Sequence, residues 1–257
     1  MSKENKIQQF FKQKGAISLT VVIFLVLLSI VFTVTRPNIV NEGEMIINVT
    51  NYNAPRFVEA TEVKDAVAKM NLDRTDQGMS IKEIENSLNA IQFVRNAEVS
   101  RDVKNNLVID IEQDRPIARI LTPSGKSTYI NQEGKMIGLS KKHAARVLLI
   151  TGAGAEKLMS QNYWEDSYYT YLLLEFVNKL SNDRFWNAQI TQLDINKDMS
   201  IIAYPQVGKE RIEFGQPTDY LKKLGKLKLY YNTIVSTKGW NVYKNIKLQY
   251  AGQIVCD

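Results

Sequence analysis

Phe93-Val-Arg-Asn-Ala-Glu-Val-Ser-Arg-Asp-Val-Lys-Asn-Asn-Leu-Val-Ile-Asp-Ile-Glu112 reads as a β-hairpin. Ala97, Val99 and Arg101 recur at the two-residue period of a strand, Asn105-Asn106 supplies a tight turn, and Leu107–Glu112 alternates again. Upstream, Met45–Val49 is a further strand, and the polar stretch Thr50–Arg56 is turn-prone. Thr61–Met70 places Val63, Ala66, Val67 and Met70 at helical spacing. A second helix opens at Ser80, with Glu83 three residues on as a capping box, and carries Ile81, Ile84, Leu88 and Ile91 as one stripe. Strand, helix, helix, strand, strand predicts a small α+β domain over 45–121.

Pro116 reads as the end or edge of the last of these strands, and Thr122–Ser127 as the domain boundary. The second domain, 122–257, begins with a hairpin at Thr128–Ile137, passes through a loop rich in Lys, Ala and Gly, and enters a helix over Ser167–Leu180. Gln189–Ile195, Met199–Tyr204 and Lys209–Phe214 then read as an antiparallel meander. A helix over Thr218–Val235 carries Leu221, Leu224, Leu227, Tyr231 and Ile234 on one side, and Lys222, Lys223, Lys226 and Lys228 over the rest. Asn245–Tyr250 alternates once more and is followed by Ala251-Gly252 and the short apolar pair Ile254-Val255. The expected class is α+β, with a β-rich antiparallel second domain.

Ahead of both domains, Gly15–Thr35 runs 21 residues without a charge. As a helix that length covers roughly 30 Å, the thickness of a bilayer's hydrocarbon core. The stretch is too long for a signal-peptide core and ends without a small-residue cleavage pattern, so it predicts a retained transmembrane helix. Lys3, Lys6, Lys12 and Lys14 make residues 1–14 a basic tail, which orients the amino terminus to the cytoplasm. Residues 36–44, with Pro37 and Gly43, are a linker, and everything beyond is expected to be exported.

Of 257 residues 44% are hydrophobic, enough for real cores, and a single cysteine and a single histidine exclude disulfide frameworks and paired-ligand metal sites. The net charge of +6 is not a nucleic-acid signature, because it divides into +3 over 1–14, −2 over 15–216 and +5 over 217–257. Candidate chemistries have plainer readings. Asp110, Glu112 and Asp114 alternate along one strand as a solvated acidic face rather than a carboxylate pair for glycoside cleavage. His143 lies in the basic run Lys141–Arg146, Cys256 has no His or Asp beside it to make a nucleophile, and Gly152-Ala-Gly154 is a loop without the dinucleotide pattern. Trp164, Trp186, Trp240 and the tyrosines of Tyr163–Tyr171 read as core and rim.

The order of elements, with Phe93-Val-Arg-Asn-Ala97, Arg115-Pro-Ile-Ala118, Ile130-Asn-Gln-Glu-Gly-Lys-Met-Ile137 and Ile212-Glu-Phe-Gly215, resembles the FtsQ/DivIB family of bacterial cell-division proteins. Leu148-Leu-Ile-Thr-Gly152 departs from that pattern, since many relatives have a proline after the first leucine. The resemblance implies that the first exported module is a POTRA domain. It also implies a cell inner membrane protein at the septum that has no catalytic activity and no cofactor. Its partners would be FtsB- and FtsL-like bitopic proteins, with a partner segment adding to the edge of the last strand.

The matching residues here are Ile246, Lys247, Leu248, Gln249 and Tyr250, with Ile254 and Val255 after them. Ile246 and Leu248 complete the core and a partner would meet Tyr250, while Lys222, Lys223, Lys226 and Lys228 read as a solvated helix face, with Lys222 and Lys226 meeting an acidic partner surface or anionic headgroups as the alternative. Arg115, Pro116 and Ala118 read as a strand terminator and interdomain contact. The competing readings are a POTRA-bearing adaptor in outer-membrane protein assembly or secretion, and an exported cell-wall enzyme. Neither a nucleic acid nor a small-molecule substrate is expected.

Overall fold

A computed structural model describes residues 44–50, 56–72, 80–161 and 163–257. The basic tail with Lys3, Lys6, Lys12 and Lys14, the expected span 15–35 and the linker up to residue 43 lie outside the described residues. Among the described residues, no helix is long and apolar enough to cross a membrane.

The first module runs β1 (Met45–Thr50), α1 (Ala60–Leu72), α2 (Ile81–Asn89), β2 (Val94–Arg101) and β3 (Leu107–Gln113). Its three-stranded sheet has the order β1-β3-β2, and β1 lies parallel to β3 from Met45↔Leu107 to Thr50↔Glu112. The capping box forms: the Glu83 N–H donates to Ser80 Oγ at 3.3 Å, and the Ser80 N–H donates to Glu83 Oε2 at 3.0 Å. Val63, Val67, Ile84, Leu88, Val99, Ile109 and Ile111 fill the core between helices and sheet.

The rest of the chain builds one nine-stranded sheet. In sequence its strands are β4 (Pro116–Leu121), β5 (Ser127–Asn131), β6 (Met136–Gly138), β7 (Leu148–Thr151), β8 (Ile190–Ile195), β9 (Ile201–Pro205), β10 (Arg211–Gly215), β11 (Asn245–Lys247) and β12 (Val255–Cys256). In space the order is β12-β11-β10-β9-β8-β7-β4-β5-β6. The helices are α3 (Ala155–Met159), α4 (Tyr168–Asn182), α5 (Arg184–Gln189), α6 (Tyr220–Tyr230) and α7 (Ser236–Lys238), with a π turn at Tyr231–Val235. Phe176 of α4 stacks on Phe214 of β10 at 4.3 Å, and Leu173, Val177, Leu224 and Leu227 join the same core. The described residues of Met45–Ser100 and Leu107–Asp257 form one compact unit.

Three expectations are corrected. The second sheet is mixed, not antiparallel, because β4–β7, β7–β8 and β10–β11 are parallel pairs. Two of them involve β7, a four-residue run whose Leu148 and Ile150 are buried between sheet neighbours, and a run that short has no alternation to announce it. The changeover between sheets falls at Asp114-Arg115, ahead of Thr122–Ser127. That stretch is instead the β4–β5 turn, in which the Gly125 N–H donates to the Thr122 carbonyl at 3.0 Å. Pro116 opens β4 rather than ending β3, and Tyr129 and Ile137 of the nine-stranded sheet pack into the first module's core.

The third correction concerns the acidic stripe, which is not a free face. Asp110 accepts from Asn48 at 2.8 Å, Glu112 pairs with Arg95 at 3.0 Å, and buried Asp114 accepts from Asn131 at 2.8 Å. Gly152-Ala-Gly154 is the loop expected, and packing explains its glycines. A Cβ at Gly152 would stand 2.3 Å from the Ile195 carbonyl, and one at Gly154 would stand 2.6 Å from the Ile195 side chain.

Candidate partner-binding edge

The expected docking strand is shorter than its alternation implied and is not itself the edge. Ladder pairing of β11 stops at Lys247, with Ile212↔Ile246 and Glu213↔Lys247 in parallel on one side. On the other side the chain returns through Leu248–Gln253, and β12 covers β11 with Ile246↔Cys256 and Lys247↔Val255. Ile246 and Leu248 are fully buried, as a core-completing role requires. Gln249 lies beyond the strand, its Cβ facing Gly215, whose φ is +73°. Tyr250 is 44% exposed on the turn.

The exposed edge is therefore β12, and its backbone polarity follows from the ladder. Asn245 and Asp257 exchange both backbone bonds, at 3.0 and 3.1 Å. In an antiparallel ladder the adjacent pair, Ile246 with Cys256, is then of the kind that exchanges none. The N–H and carbonyl of Cys256 accordingly point to the open side, and those of Val255 point inward. Lys247 Nζ anchors the strap to Asp257 at 2.7 Å, which holds the Asp257 carboxyl below its usual range and the Lys247 ammonium above its own.

Beside this edge lies an apolar groove of about 230 Å³, lined by Leu229, Tyr230, Thr233, Ile234, Ile254 and Cys256. Ile254 and Cys256 sit two residues apart and so share the face that borders it. Burial pushes the Tyr230 hydroxyl up to about 12 and raises the Cys256 thiol, so both remain neutral at physiological pH. Sequence reasoning missed the groove because Leu229 belongs to the lysine-bearing side of its helix. Only the Ile254–Cys256 spacing, weighed as a strand, could have signalled it.

The lysines divide by role. Lys226 Nζ donates to the carbonyls of Leu248 at 2.5 Å, Tyr250 at 2.6 Å and Gln253 at 3.2 Å. An ammonium has three donors and all are in use, so Lys226 shapes the turn that delivers β12. Burial lowers its proton affinity. Lys223 is buried, donates to the Gln216 carbonyl at 2.6 Å, and lies 5.2 Å from the Phe214 ring centre. Lys222 is exposed and pairs with Asp219 at 2.9 Å, which keeps its ammonium above the usual range. With Gln249, Tyr250 and Gly252 the three lysines line a cleft of about 510 Å³.

The family described as FtsQ/DivIB, C-terminal related, matches residues 115–257, which are the nine-stranded sheet, its helices and this edge. The chain belongs to the FtsQ/DivIB family. No curated protein matches the chain. Membership in FtsQ/DivIB places it among cell-division proteins. The match begins at Arg115, where the sheets change over, so the family boundary coincides with the structural one. Among the described residues, no group of His, Cys, Asp and Glu could hold a metal ion.

Proposed function

We propose that this FtsQ/DivIB protein is a non-enzymatic division scaffold, anchored in the cytoplasmic membrane by residues 15–35, with its two modules exported to the septum. The first module, with its strand-helix-helix-strand-strand order, is a POTRA domain that docks other division components. The second takes a strand from an FtsB-like bitopic protein, which acts together with an FtsL-like one, and the strand adds along β12.

The observation that carries this reading is the outward-facing backbone of Cys256 at an edge with an apolar groove beside it. An incoming strand satisfies the edge donors and acceptors and seats alternate side chains, while the exposed Tyr250 and Lys222 border its path. Ile246, Lys247 and Leu248 support the edge from beneath, Gln249 borders it, and Ile254 and Val255 belong to it.

A fluorescent fusion of the full chain tests the cellular part. Midcell rings, with filaments on depletion, are expected. Uniform envelope signal with normal septation would overturn it, and accumulation of unfolded outer-membrane proteins without filaments would favour the secretion adaptor instead.

A further inference from the structure

A second concavity lies where β4 begins, away from the partner edge. It has a volume of about 130 Å³, and its polar lining residues are Arg115, Arg146, Ser181 and Asn187, over a floor that includes buried Ile117 and Leu180. Among the described residues, no acidic one lines it. Among the described residues, neither Arg115 nor Arg146 has an ion-pair or hydrogen-bond partner, whereas Arg95 and Arg211 pair with carboxylates and Arg119 donates to Ser127. Asn187 is held in place by its Nδ2 donation to the Ser181 carbonyl at 2.9 Å.

Two exposed arginines without carboxylate partners line one small cavity and match a planar oxyanion, since a guanidinium presents parallel donors to a pair of carboxylate oxygens. The apolar floor adds a second requirement. A bare phosphate would leave the half-buried Ala145 and Val147 of the lining uncovered, whereas a carboxylate carried on a small alkyl group covers them. The end of a peptide has both features, and one short residue is of the size of this volume. We propose that the Arg115–Arg146 cavity binds the terminal carboxylate of a peptide that ends in a small apolar residue. The assignment is independent of the strand-addition edge, because no residue of β11 or β12 lines the cavity.

Titration of the full chain in detergent with three probes tests it: acetyl-Ala-Ala-Ala with a free carboxylate, the same peptide ending in an amide, and inorganic phosphate. Calorimetry should show the free acid binding about tenfold or more tighter than the amide, as expected for a charge-assisted bond. Phosphate should be weaker than the acid. Arg146→Gln should lose about tenfold in affinity, and Arg146→Lys, which keeps the charge but not the fork, a smaller factor. Arg115→Gln should match Arg146→Gln. If Arg115→Gln does not fold, the two Arg146 variants carry the test. Equal binding of acid and amide, phosphate as tight as the peptide, or full affinity in Arg146→Gln would each overturn the proposal.

Discussion

The two ends of the nine-stranded sheet are finished differently. At the β6 end a side chain takes the place of a further strand: Gln92 Nε2 donates to the Ile137 carbonyl at 2.9 Å and to the Leu139 carbonyl at 3.2 Å. Gly138 makes room for it, because a Cβ there would stand 2.6 Å from that nitrogen. At the β12 end, among the described residues, no strand lies beyond the outward N–H and carbonyl of Cys256, and the neighbouring surface is an apolar groove. Proteins usually blunt sheet edges to prevent pairing with other chains. A molecule that caps one edge with a dedicated glutamine and borders the other with an apolar groove has two unlike sheet ends.

Breaking the protected edge should have the largest effect. Gly138→Val places a β-branched residue at φ +70° and drives Gln92 off its carbonyls. We expect about 2–3 kcal/mol of destabilisation in denaturant unfolding, and concentration-dependent self-association in sedimentation. An unchanged monomer of lower stability would mean that Gln92 is not what blunts this edge.

Lys226→Met ranks next. Without the ammonium the carbonyls of Leu248, Tyr250 and Gln253 lose their common donor, and amides of residues 253–257 should exchange with deuterium about tenfold faster while β4–β9 keep their protection. Equal exchange would show that the turn holds itself.

Cys256→Pro is the selective break. It deletes an outward donor only, so affinity for a peptide from an FtsB-like partner should fall several-fold, about 1 kcal/mol, with little change in Tm. Val255→Pro deletes an inward donor and should instead detach β12 from β11. Identical behaviour of the two variants would contradict the assigned ladder polarity.

The protected edge was hard to read from sequence and the open one was only half legible. Long periodic segments declared themselves: the capping box at Ser80, the helix α4 and the meander strands all lie close to where spacing puts them. What escaped were features that depend on a distant partner. Nothing within Leu148–Thr151 distinguishes a parallel strand from a buried loop, and nothing near Gln92 names Ile137 as its acceptor 45 residues away. Lys226 looked like part of a solvated face because a charge pattern along one helix carries no information on carbonyls 22 to 27 residues further on. The last strands lie where the alternation and the short apolar pair put them, but the edge position expected of Ile246–Tyr250 belongs to β12. A two-residue β12 is below the length at which alternation exists.

The smallest expected effect lies in the strap's ion pair, and its sign follows from the two titrations. The hydrogen bond from Lys247 holds the Asp257 carboxyl below its ordinary 3.8, so the strapped state binds fewer protons there than a released strand does. Its contribution is complete above that ordinary value and is lost as pH falls through the lowered one. Lys247 is raised above its ordinary 10.5 by the same bond, so its contribution is complete below 10.5 and is lost only as pH rises through the higher value. Asp257 is exposed and Lys247 half-buried, so salt still screens the pair and the effect is confined to the strap rather than to global stability. Amide exchange of Asp257 should therefore accelerate on acidification below 3.8 while that of Ile212 does not, and Asp257→Asn should remove the acid limb. Parallel acceleration of both amides would mean that acid loosens the whole sheet, and that the two edges do not differ in this respect.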